Sequence, residues 1–280
     1  MKYRFSRNAH SALLISTLFI LAEGCSTQPV ATSPEPQVKP ATAVESNVVE
    51  PSTIEPKAMA ALQKMGGYLR SLKTFKVSFR LFKDEILLSG QKVMIDGASE
   101  LTVQQPDRFH FSTKIDEAHR DQQFFYDGKT FTVYGNTNKF YASVAAPATI
   151  PELLDAASER YNITMPFADL FIWGTDKADP TAIKSAIYIG PTQINNVTCD
   201  HYAFQNEDVD WQLWIQQGDT PLPRRLVITT KEEEGQPQYI SVMDWKLSPK
   251  INKQIFSFVP PKDAHKINLV ANEVESDNMK

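Results

Sequence analysis

The stretch of sequence that decides the fold is FKVSFRLF, residues 75–82. Its apolar side chains recur with a period of two, so an extended chain would place them all on one face. These apolar positions are Phe75, Val77, Phe79 and Leu81. The pattern predicts a β-strand with one face buried against a core.

Similar short runs follow along most of the chain, and turn-forming residues separate them. Asp127-Gly128 is a hairpin signal, and Gly135–Lys139 predicts a second turn. This spacing predicts a mainly β, α+β fold with a meandering antiparallel sheet of about 11 strands. The further predicted strands are 86–95, 98–104, 108–115, 121–126, 130–134, 140–144, 185–190, 197–205, 209–216, 223–230 and 238–247.

Helices are predicted where the period of two is lost. Residues 57–71 carry one apolar stripe at helical spacing, although Gly66 and Gly67 weaken the prediction. The stripe consists of Leu62, Met65, Leu69 and Leu72. In the middle of the chain, 150–161 predicts an amphipathic helix, and the apolar and aromatic segment 166–174 predicts a short one.

The N-terminal residues 1–24 predict an export signal. A basic start precedes the apolar run 12–22, which is shorter than the roughly 20 residues of a membrane-spanning helix. Ala22 and Gly24 lie before Cys25 as small residues do before a cleavage site, and the arrangement resembles a bacterial lipobox. We expect Cys25 to be lipidated and to become the mature N-terminus. Ordinary cleavage without a lipid and a retained membrane anchor are the alternatives.

The segment 25–56 is rich in Pro, Ser and Thr and has no hydrophobic period. Such composition predicts an extended tether between the anchor cysteine and a folded domain. Ser26 follows the cysteine, which favours the outer membrane by resemblance to enterobacterial lipoproteins. Residues 57–280 then form the single predicted domain. A periplasm-facing outer-membrane lipoprotein is expected, and a soluble periplasmic protein is the alternative.

The composition limits the classes of function. Apolar residues make up 42% of the 280 residues, which is enough for a sizeable core. The net charge of −4 argues against nucleic-acid binding, which needs a basic face. The chain has 2 cysteines, so it cannot build a disulfide scaffold.

Catalytic chemistry is weakly represented. Cys199 and His201 would share one face of a strand, but a metal site needs three or four ligands, so a buried thiol is the preferred interpretation. Asp208 and Asp210 give no assignable acid and base pair. We therefore expect no enzymatic activity, no cofactor and no metal.

Several segments together resemble the DUF2092 family of predicted periplasmic proteins, relatives of the LolA/LolB-type lipoprotein carriers. They occur in the family's order and bracket nearly the whole domain. The segments are LRSLKTFKVSFR (69–80), LTVQQPDRFHFS (101–112), FFYDGKTFTVY (124–134), WQLWIQQGDTPLPRRLVITT (211–230) and IFSFVPPKDAHKI (255–267). The resemblance implies a curved, unclosed antiparallel half-barrel whose apolar cavity is covered by a helical lid.

The resemblance also implies which residues meet a ligand. A hydrophobic ligand such as an acyl chain, a lipid or a lipoprotein would lie between the sheet and the lid. The expected sheet residues are Phe75, Val77, Phe79, Leu81, Phe109, Phe111, Trp211, Leu213 and Trp245. The expected lid residues are Leu153, Leu154, Phe167, Leu170, Phe171 and Trp173.

One position departs from the soluble carriers. An Arg precedes the Pro of the second segment in those proteins and helps to hold the lid, whereas Gln105 precedes Pro106 here. Gln carries no charge and lacks the fork of donors that Arg provides. Any lid latch in this chain must therefore differ or be absent.

Three functions remain open at this point. The first is a non-enzymatic carrier or sensor of a hydrophobic ligand, attached to the membrane through its lipid anchor. The second is a module that binds another envelope protein, and a collapsed cavity would favour it. The third is a hydrolase, which would need ordered polar groups at the cavity mouth.

Overall fold

The computed structural model describes residues 54–271. The predicted export signal 1–24, the predicted lipidation site Cys25 and the predicted tether up to residue 53 lie outside the described residues. Ile54, just before the first helix, forms a parallel bridge with Ala186.

One sheet contains all twelve strands of the described residues. The strands are β1 (Thr74–Ile86), β2 (Lys92–Gln104), β3 (Arg108–Ile115), β4 (Arg120–Tyr126), β5 (Thr130–Gly135), β6 (Phe140–Ala145), β7 (Ser185–Ile194), β8 (Val197–Gln205), β9 (Val209–Gln216), β10 (Pro223–Thr230), β11 (Gln238–Leu247) and β12 (His265–Lys266). Their order is β12-β6-β5-β4-β3-β2-β1-β11-β10-β9-β8-β7, so the curved sheet does not close. All neighbours are antiparallel except β12 and β6. The predicted antiparallel half-barrel is confirmed.

The register places the apolar positions of neighbouring strands on one face. Phe75 of β1 lies opposite Val103 of β2 and Leu247 of β11, and Val103 lies opposite Phe109 of β3. Because side chains alternate across a strand, this face carries the core, and we call it the concave face. The predicted alternation of 75–82 is therefore confirmed.

The predicted strand at 86–95 is wrong. β1 continues to Ile86, the chain turns through 87–91, and one long strand β2 replaces the two predicted strands 86–95 and 98–104. Gly97 looked like a break, but it lies inside β2 opposite Leu81. A Cβ at Gly97 would come within 2.8 Å of the Ile115 side chain and of the Lys114 carbonyl, so close strand packing explains the glycine.

Three α-helices of the described residues cover the concave face. They are α1 (Pro56–Ser71), α2 (Ile150–Tyr161) and α3 (Asp169–Ile172). The predicted stripe of α1 is buried at Leu62, Met65 and Leu69. Thr149 and Glu152 form a capping box that starts α2. We call residues 150–173, from α2 to the end of α3, the lid.

The convex face is partly covered by the C-terminal segment. A short 3-10 helix at Lys253–Phe256 leads to Phe258, whose ring lies 5.2 Å from Phe125 and 5.0 Å from Tyr141. Phe256 is 1% exposed, so this segment is packed against the sheet. None of the helices in residues 54–271 has the length and hydropathy needed to cross a membrane.

Candidate functional site

The concave face is entirely apolar at one end of the strands. Phe75, Val103 and Phe109 lie in one row across β1, β2 and β3, and each is at most 2% exposed. The next row contains Val77 and Leu101, which are 0% exposed. Such a surface gains free energy only when other apolar groups cover it.

The lid supplies that cover. The Phe167 ring lies 5.3 Å from Phe109 and 4.8 Å from Phe111, and the Phe171 ring lies 6.3 Å from Phe75. All of the predicted sheet and lid residues belong to one hydrophobic cluster or pack against it. The structure thus brings the predicted residues together, while their role in binding a ligand stays a prediction.

Two of the predicted tryptophans lie at the border of this cluster. Trp211 and Trp245 are only partly buried. The Trp211 indole N–H donates to Asn206 Oδ1 at 2.7 Å, and the Trp245 indole N–H donates to the Pro223 carbonyl at 2.7 Å. Their rings cover the core while their polar N–H groups are satisfied, as is usual for buried indoles.

The lid fills the concave face in this conformation. The gap between Phe79, Leu81 and the lid residue Phe167 has no room for a water molecule. A larger cavity of about 240 Å³ lies on the convex face instead, between β4–β6 and the C-terminal segment. The site is therefore closed, and a ligand in the concave face has to take the place of lid side chains.

Polar contacts hold the lid near its two ends. The Ile150 backbone N–H donates to the Pro106 carbonyl at 2.9 Å, which fixes the start of α2 to the β2–β3 turn. Arg70 of α1 donates from Nη1 to the Trp173 carbonyl at 2.8 Å at the other end. Between these ends, packing against the sheet is mainly apolar.

The segment before the lid is tied to the sheet through Tyr126. The Tyr126 hydroxyl donates to the Pro147 carbonyl at 2.6 Å. Burial, with a contribution from Asp107 and other carboxylates, raises the pKa of Tyr126 to about 12. This hydroxyl therefore stays protonated and keeps donating across the physiological pH range.

Gln105 is hydrogen-bonded to the end of α1. Its amide Nε2 donates to the Leu69 carbonyl at 3.1 Å and to the Leu72 carbonyl at 2.7 Å, at the C-terminal end of α1. It thus ties the C-terminal end of α1, where the Leu69 carbonyl also accepts from the Leu72 N–H, to the end of β2. At the end of the lid, the polar contact comes from Arg70 of α1 instead. Sequence reasoning missed Arg70, because nothing local relates it to Trp173.

Sequence reasoning also missed a group of hydroxyls on the concave face. Ser99 Oγ donates to Thr113 Oγ1 at 2.8 Å, and both side chains are buried. Ser241 is 3% exposed, and its hydroxyl is close to that of Tyr239. Burial raises the pKa of the neighbouring Tyr239; Ser241 partly offsets this rise, and the Asp169 carboxylate adds to it. These residues lie toward the opposite end of the strands from Phe75.

The Cys199 and His201 pair lies on the convex face, away from the lid. Cys199 is 0% exposed and packs with Trp214 and Val227. The His201 ring stacks on Trp214 at 4.0 Å, and its Nε2 lies 3.0 Å from Gln212 Oε1. In residues 54–271, no group of three or more His, Cys, Asp or Glu side chains could hold a metal ion.

These features define a class of protein: an unclosed antiparallel half-barrel whose apolar concave face is closed by helices. The chain belongs to the DUF2092 family, described as a predicted periplasmic protein, whose model matches residues 58–270. The family predicted from the sequence is confirmed. No curated protein matches the sequence.

Several solved structures are similar to the chain at low identity. An uncharacterized conserved protein from Thermus thermophilus is 11% identical, with 76% of this chain and 99% of that chain covered and a TM-score of 0.45. The lipoprotein LppX from Mycobacterium tuberculosis is 11% identical, with coverage of 71% and 98% and a TM-score of 0.41. A LolA superfamily protein from Nitrosomonas europaea is 10% identical, with coverage of 72% and 97% and a TM-score of 0.33.

Proposed function

We propose that this protein binds a long apolar chain, such as the acyl chain of a lipid or lipoprotein, between its sheet and its lid. The observation that carries the proposal is the packing of lid residue Phe167 against Phe109 and Phe111. These lid contacts have the same chemistry as contacts with an acyl chain. A ligand would displace the lid side chains and occupy their place on the concave face.

Displacement is energetically plausible because the two states bury similar surface. Lid side chains and an acyl chain both gain about 25 cal/mol for each Å² of apolar surface removed from water. The exchange then costs little in either direction. A carrier needs such a balance, because it has to release its ligand as well as bind it.

The distribution of polar contacts supports a lid that opens as a unit. Fixed points lie at Ile150 with Pro106 and at Arg70 with Trp173. The apolar section between them carries Phe167 and can separate from the sheet without breaking a β-ladder. Opening replaces the apolar contacts of the lid with ligand contacts and also has to break the hydrogen bond from Arg70 to the Trp173 carbonyl.

The test is binding of the apolar fluorophore N-phenyl-1-naphthylamine to the full chain, with native mass spectrometry after incubation with a bacterial lipid extract. Phe167→Ala should raise the affinity for the fluorophore, because the ligand competes with the lid. Phe125→Ala is the matched control, because Phe125 lies on the convex face of β4. We expect the control to leave binding unchanged.

Two results would contradict the proposal. The first is a wild-type chain that binds neither the fluorophore nor any extracted lipid. The second is binding that Phe125→Ala weakens while Phe167→Ala leaves it intact, which would place the ligand in the convex cavity.

A second candidate function is a module that binds another envelope protein. The closed concave face favours it, since the gap beside Phe167 has no room for a water molecule. A chain that stays free of lipid but captures a folded protein partner would support this alternative. A lid that exchanges with acyl chains would argue for the first function.

The setting that we propose for this function follows from the sequence. Residues 1–24 would direct export, Cys25 would carry the lipid anchor, and the segment up to residue 56 would tether the domain 57–280 on the periplasmic side of the outer membrane. The function is proposed as non-enzymatic. A mass of the mature chain that includes three acyl groups on Cys25 would support the anchor, and an unmodified Cys25 would refute it.

A further inference from the structure

The concave face changes in polarity along the strands. At one end, Phe75, Val103 and Phe109 form an apolar row. Further along the same face of β1, Phe79 lies opposite Ser99 of β2. The next inward-facing residue, Leu81, lies opposite Ser241 of β11. The face is therefore amphipathic from end to end.

Hydroxyl groups gather at the polar end. Ser99 and Tyr239 both line the gap against Phe167. Ser241 lies between them in the sheet, on the same face, and its buried hydroxyl is close to that of Tyr239. Together these hydroxyls offer donors and acceptors that a polar ligand group can bind.

The charges around this end disfavour an anion. Lys83 lies opposite Tyr239 in the register, but its Nζ is paired with Glu85 Oε1 at 2.7 Å. On the lid side, the Asp169 carboxylate lies close enough to raise the pKa of Tyr239. A carboxylate or phosphate buried here would lie near the Asp169 carboxylate, while the opposite Lys83 is already paired. Burying a charge without a partner is costly.

We propose that the ligand is a neutral amphiphile, a long acyl chain that ends in a hydroxyl or ester group. Its polar end lies at Ser241, Tyr239 and Ser99, and its tail runs toward Phe75 and Phe109. This inference rests on the proposed function, because it assigns the chemical class and the orientation of the ligand in the same cavity.

The experiment compares two ligands with the same tail. Monoolein carries a neutral glycerol ester, and oleate carries a carboxylate that is ionised at pH 7.5. Both are titrated, below their aggregation concentrations, against the full chain loaded with N-phenyl-1-naphthylamine. We expect monoolein to displace the fluorophore at a concentration about tenfold lower than oleate.

The variants locate the polar end. Relative to the fluorophore, Ser241→Ala and Tyr239→Phe should each weaken monoolein about five- to tenfold, the size of one lost hydrogen bond. Asp169→Asn should strengthen oleate. Thr102→Val is the matched control, because Thr102 Oγ1 is also buried but lies on the convex face of β2. Ser241→Ala removes a single small hydroxyl, so the variant should still fold.

Each outcome has one meaning. Failure of the fluorophore and of both lipids to bind would sink the proposed function itself. Binding of the fluorophore with oleate equal to or better than monoolein would overturn the neutral-ligand inference alone. The same conclusion follows if Ser241→Ala leaves the monoolein preference intact, or if Thr102→Val reduces it to the same degree.

Discussion

Arg70 Nη1 donates a hydrogen bond to the Trp173 carbonyl at 2.8 Å and thereby joins α1 to the end of the lid. Gln105, the residue before Pro106, is hydrogen-bonded to the end of α1. The cationic donor for the lid is therefore supplied by α1. The lid of this protein is consequently coupled to the helix that follows the predicted tether.

Arg70→Met should loosen this end of the lid. A partly buried hydrogen bond of this kind contributes about 1 kcal/mol, so the open population of the lid should rise about fivefold. Hydrogen exchange measured on peptides that cover 165–178 should be faster by that factor. Arg160→Met is the control, because Arg160 lies on the exposed side of α2. Equal exchange in both variants would mean that Arg70 does not hold the lid.

The two adjacent glycines of α1 should respond oppositely to alanine. A Cβ on Gly66 would lie 2.2 Å from the Trp173 carbonyl oxygen, whereas a Cβ on Gly67 meets nothing closer than 3.9 Å. Gly66→Ala should therefore force α1 and the lid apart and lower the unfolding free energy by about 1–3 kcal/mol. Gly67→Ala should raise it by about 0.5–1 kcal/mol, because alanine is the better helix former. Urea denaturation of both variants measures this difference, and destabilisation by both would contradict it.

Much of the sheet could be predicted because its period is local. The alternation of 75–82 and the turn at Asp127-Gly128 each depend on residues that are close in sequence. The prediction for the β1–β2 hairpin was wrong because it also used only the local pattern. Leu87 and Leu88 belong to an apolar run that is typical of a strand, yet both side chains are exposed at the turn. Only a glycine fits at position 97 because Ile115 on the neighbouring strand β3 lies so close. A pattern within β2 gives no information about this neighbour.

The apolar part of the candidate site was predicted, whereas its polar part was not. Phe79 and Phe167 have large apolar side chains, and such side chains are mostly buried whatever they pack against. Their place in the core could therefore be predicted. The hydroxyls of Ser99 and Ser241 belong to residue types that are mostly exposed. Their burial follows from the register of β1 with β2 and β11, which the sequence alone does not fix.

Gln105 should stabilise the fold through its donor group. Gln105→Ala removes the hydrogen bonds to the Leu69 and Leu72 carbonyls, and we expect a loss of about 1 kcal/mol in the unfolding free energy. Gln105→Glu should cost more at neutral pH, because a carboxylate repels carbonyl oxygens at the negative end of a helix. The neighbouring Gln104→Ala is the control in the same denaturation series. An order in which Glu is no worse than Ala would refute this account.

Cys199 should be inert in the folded chain. Its side chain is 0% exposed, burial raises the pKa of its thiol, and Sγ donates to the Val197 carbonyl at 3.4 Å. In a Cys25→Ser background, a thiol reagent should label Cys199 at least about 100-fold more slowly under native conditions than in guanidinium chloride, since the reagent needs an accessible thiolate. Rapid native labelling would instead show that the convex face opens around Trp214.

Stability should decline on mild acidification because of His110. Burial is the main cause that lowers the pKa of His110 below its ordinary value, and its Nδ1 is buried without a partner. The unfolded chain therefore binds a proton more readily than the folded one. The stabilisation is complete above the unfolded pKa of about 6.5 and is lost as pH falls through the folded pKa.

The unfolding free energy of the wild-type chain, measured by urea denaturation between pH 7.5 and 5, should fall more steeply than that of His110→Gln. His119→Gln, at an exposed turn, should keep the wild-type slope. A His110→Gln slope equal to that of the wild type would assign the acid sensitivity to other groups, with His201 the next candidate because burial also lowers its pKa.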